Sequence, residues 1–193
     1  LNEPIEPKGI IVRIAKFSRV FFAVSCVSGL AACASTGGSE AQLSNATGIE
    51  QASPRITNAS SHLQCVPYAR NQSGIHIYGN ASVWWEKAKQ THMRGNRPTK
   101  GSVLVLKTGR GGNRGHLAVV RKIVSSREII VDHANWLNQG RIHNDTPVYD
   151  VSPGNDWSEV RVWYTPGQQY GVKVYAARGF IYRDNRDSRE ARL

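Results

Sequence analysis

Residues 115–136 read GHLAVVRKIVSSREIIVDHANW: two apolar runs, His116–Val124 and Glu128–His133, parted by Ser125, Ser126 and Arg127. Val and Ile crowd both runs, which makes them strands bounded by turn residues. Working outward, Val103 to Lys107, Val160 to Tyr164 and Val172 to Tyr182 carry the same signature, separated by Gly, Asn, Pro and Ser. The segment ahead of them changes type. Residues 65–73 suit a short helix, because Pro67 is tolerated only in a first turn and Gly74 can stop it. A second helix is expected from Asn80, as N-cap, to Thr91, with its aromatics toward the core. Helices first and strands after predict an α+β domain, its N-terminal helices packed on an antiparallel sheet of five to six strands.

The whole chain has 193 residues, enough for one domain plus tails, and a formal net charge of +11. Taken alone, that excess points toward nucleic acid. The N-terminus points elsewhere. Arg13, Lys16 and Arg19 precede an apolar run from Val20 to Ala32, 13 residues long, which fits a signal peptide and is too short to span a bilayer. It ends in Leu30-Ala31-Ala32-Cys33, which resembles a bacterial lipobox, with Cys33 the residue that becomes lipidated after cleavage. Residues 1–11 read as lying upstream of the true start, taken as Val12. Ala34 after the Cys implies outer-membrane sorting, facing the periplasm. Residues 1–32 hold four basic and two acidic residues, so the remainder keeps +9. In the envelope that charge suits an anionic wall or membrane surface, and nucleic acid drops out as a partner.

Residues 33–61 then form the lipidated Cys and a Ser/Ala/Thr/Gly/Asn-rich tether, which as a flexible coil reaches about 30 Å. The domain proper spans 62–183. Residues 184–193 alternate charge without apolar support and read as a disordered tail.

Three Cys are present, and processing removes Cys26 and consumes Cys33, so Cys65 is the one thiol left to the domain. There is no Gly-x-Ser-x-Gly, no His-Glu-x-x-His, and the Gly109–Gly115 run lacks the ending of a phosphate loop. Cysteine chemistry remains. Cys65 opens a helix, where free backbone N–H groups favour a thiolate and can hold an oxyanion. His116 opens a strand and supplies a base. The strand ending Asp132-His133-Ala134-Asn135-Trp136 offers partners to orient it.

Gln64-Cys65 before Tyr68-Ala69-Arg70, Gly101 ahead of a strand, Gly115-His116-x-Ala118-Val119-Val120 and a strand ending in polar-x-Asn135-Trp136 together resemble a CHAP domain, over about residues 62–182. That family is a papain-like branch of cysteine, histidine-dependent amidohydrolases/peptidases, related to the NlpC type. The resemblance implies a peptidoglycan hydrolase. Cys65 would attack the muramoyl-alanine amide or a stem-peptide bond, His116 would shuttle the proton, and water would release the acyl-enzyme, without metal or cofactor. Many members carry Glu two residues before the Asn; here His133 holds that place. Strand alternation puts His133 and Asp132 on opposite faces, so only one can meet His116. His133 is favoured as third residue, with Asp132 and Asn135 as alternatives.

Gln64 is either an oxyanion donor or a local pair, and Trp136 is the aromatic best placed to meet substrate. His62, His76, His92 and His143 read as surface residues. The expected partners are stem peptides, a membrane through the Cys33 anchor and a regulatory envelope protein, with the chain itself a monomer. Two other functions fit the same residues: a catalytically silent wall-binding lipoprotein, and a papain-like acyl transferase.

Overall fold

The computed structural model describes residues 52–59 and 61–192. The signal peptide, Cys33 and most of the expected tether lie outside the described residues. Strand β1 (Arg55–Thr57) is followed by helices α1 (Cys65–Ser73) and α2 (Ala81–Thr91), then by β2 (Arg94–Gly95), β3 (Val103–Thr108), β4 (Arg114–Ile123) and β5 (Glu128–Ala134). Next come β6 (Ile142–Asp150), β7 (Glu159–Tyr164), β8 (Gln169–Tyr170) and β9 (Tyr175–Ile181), and last a short helix α3 (Asn185–Glu190). Within the tail, Asp187 and Ala191 are buried, and Ala191 joins the core.

All strand pairs are antiparallel, in the order β6-β5-β4-β3-β9-β7, and β7 pairs again with β6. The six strands therefore close into a barrel, with β1, β2 and β8 added at its margins. This corrects the expected architecture. The domain is mostly β and closed, not an α+β layer of helices on an open sheet. The strand that closes it, β6, went unpredicted because Asn144, Asp145, Thr146 and Pro147 interrupt its apolar pattern.

Two cores result. Leu104, Leu106, Ala118, Val120, Ile129, Val131, Val148, Val160 and Phe180 fill the barrel. On the alternate face, Val103, Val105, Leu117, Val119 and Ile181 pack against Ala69, Ile75, Trp84 and Ala88 of the helical segment. Each large side chain so buried contributes about 1.5–3 kcal/mol, which fixes α1 and α2 to β3 and β4. Gly74 ends α1 in the left-handed region at φ 72°, its N–H bonded to the Arg70 carbonyl. Asn80 precedes α2 but makes no side-chain cap. The start of α2 rests on β4 at Gly115, where an added Cβ would lie 2.5 Å from the backbone of Ala81 and Ser82. Only glycine permits that approach, one residue before His116.

Candidate active site

Cys65 is the first residue of α1, and its half-buried side chain packs on the apolar layer between helices and barrel. Burial pushes its thiol up, while backbone N–H groups of Leu117, Cys65 and Val66 pull it down; burial prevails. The sulfur thus meets β4 at Leu117, the residue after His116.

His116 and His133 are both buried and share the face of β4 and β5 that turns into the barrel. His116 Nε2 and His133 Nδ1 lie 2.9 Å apart. Burial lowers both imidazoles, and each is lowered further by a neighbouring histidine, so neither carries charge at neutral pH. Trp136 lies edge-on to His116 at 4.7 Å between ring centroids, and its other neighbours are His133 at 5.3 Å and Tyr175 at 5.1 Å. His143 is buried and stacks 5.2 Å from His133, its partner in the β5–β6 register. Its expected surface position is therefore corrected, and Tyr175 is a further contact that sequence patterning did not single out. His143 belongs to the unpredicted β6, so no periodicity marked it.

Asp132 turns through the other face of β5. Its Oδ1 accepts the Asp145 N–H at 2.8 Å and its Oδ2 faces Arg121 Nε at 3.2 Å, so it contacts neither imidazole. Asn135 sits at φ 60°, a region Asn tolerates. Its Nδ2 donates to Gln64 Oε1 at 2.7 Å, and its Oδ1 accepts the Gly140 N–H at 2.8 Å. The Leu63 N–H donates to the Gly140 carbonyl at 3.1 Å. The residues ahead of the Cys65 helix are thereby stitched to the turn after β5, and Gln64 keeps its Nε2 donors. No group of metal-ligating side chains occurs among the described residues.

A thiol at a helix start that meets β4 at Leu117, one residue from a buried imidazole pair, is the setting of a candidate thiol–imidazole site. The family model of the CHAP domain, a papain-like cysteine, histidine-dependent amidohydrolase/peptidase domain, matches residues 55–135. The family is one of hydrolases that act on the peptides of peptidoglycan. No curated protein matches the chain.

Proposed function

We propose that the chain hydrolyses an amide of peptidoglycan, at the stem peptide or its link to muramic acid, with Cys65 as nucleophile and His116 as base. The observation that carries this reading is the 2.9 Å contact between His116 Nε2 and His133 Nδ1, one residue from the Leu117 N–H that faces the sulfur.

The raised thiol and the lowered imidazoles argue for a resting site with neutral Cys65 and neutral His116, not a preformed ion pair. As Sγ attacks the carbonyl carbon, the thiol proton passes to His116 Nδ1. The Nε2–H donates to His133 Nδ1, and His133 keeps its own proton on Nε2. The Cys65 N–H and the free Gln64 Nε2 donors face the developing oxyanion. His116 then protonates the leaving amine, which departs and leaves a thioester. Water, losing a proton to His116, attacks that thioester, releases the carboxylic acid and restores the thiol.

The lipobox ending in Cys33 supports export and anchoring to the outer membrane on the periplasmic side, with the domain acting as a monomer at the end of its tether.

One digest of defined peptidoglycan by the processed protein tests the chemistry, read by mass spectrometry for released peptides or muropeptides. Cys65→Ala is expected to abolish release. Equal turnover by that variant would reject the mechanism, and wall binding without release by the unaltered protein would favour the silent alternative. Mass spectrometry of the processed N-terminus, seeking a diacylglyceryl Cys33, tests the anchor.

A further inference from the structure

The aromatic contacts of the site continue past the imidazoles. Trp136 stands edge-on to His116 at 4.7 Å and to Tyr175 at 5.1 Å, and the Lys173 ammonium lies 4.9 Å from the centre of the Tyr175 ring. Strand pairing explains why β9 reaches the site. Leu106 of β3 pairs with His116 on one side and with Ala177 on the other, and Tyr175 stands two residues nearer the start of β9. Trp136, Tyr175 and Ala177 all pack on the barrel core while staying partly open to solvent. They form a ledge that leads outward from His116. Three contacts of this length keep the ammonium within about 15 Å of the His116 ring, a reach of about four extended residues.

Lys173 stands on this ledge without a carboxylate. Among the described residues the ion pairs fall to Arg55, Arg121, Arg127, Arg178 and Arg183, and none involves Lys173. The Tyr175 face attracts the ammonium and sets its direction, yet leaves its three N–H donors for an oxygen acceptor. Val172 and Val174 on either side are 88% and 40% exposed and belong to no strand. A row of this kind suits a peptide: the aromatic faces take methyl groups and amide planes, and the ammonium takes an acid.

We propose that Lys173 selects the substrate, an acidic peptide whose free carboxylate lies within about four residues of the amide that Cys65 attacks. The inference rests on the reading of the chain as a peptidoglycan amide hydrolase and adds the chemical class of stem peptide that the site takes. One uncommitted ammonium matches one carboxylate, whereas a doubly charged phosphate would call for a second cation. Because Tyr175 already orients the ammonium, less side-chain freedom is lost on binding. Lys173 therefore acts on affinity, and the proton transfers stay with His116.

The test uses two synthetic stem peptides that differ only in their carboxylates, free in one and amidated in the other. Each is titrated calorimetrically into the processed Cys65→Ala protein, which is expected not to consume it, and each is offered to the parent as substrate. The acidic peptide is expected to bind about fivefold more tightly, the upper scale for an exposed ion pair, and added salt should close the gap. In the parent the same preference should appear in KM and not in kcat. Combined with Cys65→Ala, Lys173→Gln should remove the preference and Lys173→Arg should keep part of it, both variants being folded by circular dichroism. Equal binding of the two peptides, no binding of either, or an undiminished preference in Lys173→Gln overturns the proposal. Preferential binding by the Cys65→Ala protein with no release by the parent leaves the Lys173 site standing and rejects the hydrolase reading; release of both peptides at equal KM does the reverse.

Discussion

His116 Nε2 lies 2.9 Å from His133 Nδ1, whereas the carboxylate of Asp132, one residue earlier, is spent on Arg121 and the Asp145 N–H. A neutral imidazole accepts the His116 proton and fixes its tautomer, although it stabilises an imidazolium less than a carboxylate would. His133→Ala is therefore expected to lower kcat for peptidoglycan release by roughly 10²-fold, the lower end of what a positioned proton-transfer group supplies. His133→Asn, which keeps an acceptor, should recover part of that. Asp132→Asn should stay within about threefold of the parent, since it does not reach the imidazole pair. Steady-state kinetics on the three variants checks the order; a larger loss in Asp132→Asn than in His133→Ala would contradict it.

The buried imidazoles give the protein a pH dependence of definite sign. His116 must be neutral to act as base, and burial holds it below the usual histidine range. The acid limb of kcat/KM, which reports the free enzyme, should accordingly fall well below pH 6.5 and not near it. Stability follows the same logic. His143, lowered to about 4 in the fold, takes up its proton near 6.5 once unfolded. Between those values the unfolded chain holds more protons, so stability is full above about pH 6.5 and is lost as pH falls toward 4. Tm measured across that window should drop, and His143→Gln should flatten the slope by about one proton.

Local signals carried most of the elements and missed the closure. Pro67 and Gly74 bracket α1, and β-branched runs mark β3, β4, β5 and β7, because each of these signals lies within a few residues. β6 has no such run: its first half is Ile142-His143-Asn144-Asp145-Thr146, and Pro147 follows. It is held as a strand by partners on either side, Val148 opposite both Ile129 and Val162. Long-range pairing of this kind leaves no periodicity to read. The site divides likewise. Strand alternation puts His133 and Asp132 on opposite faces of β5, and that separation is what the structure shows, with His133 on His116 and Asp132 on Arg121. The burial of His143 and the bond from Asn135 to Gln64, 71 residues apart, exist only in the closed barrel.

That bond carries a prediction of its own. The Asn135 amide occupies Gln64 Oε1 and so decides which end of the Gln64 amide stays free beside Cys65. Gln64→Ala removes a donor outright, and a loss of about 10²-fold in kcat is the scale for one oxyanion donor. Asn135→Gly keeps the left-handed backbone at φ 60° while deleting the bond, and should lower kcat by a smaller factor with little change in KM. Full activity in Gln64→Ala would remove Gln64 from the oxyanion site and leave it a local tie.

The closure of the barrel should fail first at Asp150. This carboxylate ends β6 in complete burial, where it pairs across to Val160 of β7. Its Oδ1 accepts the Ser152 N–H at 2.8 Å, its Oδ2 accepts the Trp157 N–H at 3.3 Å, and Arg127 stands 3.8 Å away. Trp157 needs that bond, because it is a bulky residue at φ 62°. Asp150→Ala leaves the Ser152 and Trp157 N–H groups without their acceptor and removes the buried charge beside Arg127, whose Nη1 still donates to the Asp150 and Ser152 carbonyls. The expected cost is about 3–5 kcal/mol, the range for breaking a buried charged network from one side. Asp150→Asn, which keeps one carbonyl, should cost less. Urea unfolding of both variants measures it. Because α1, α2 and β4 lie across the ring from the β6–β7 seam, His116 and Cys65 should remain together in the surviving folded fraction, so that kcat per folded molecule changes less than stability does.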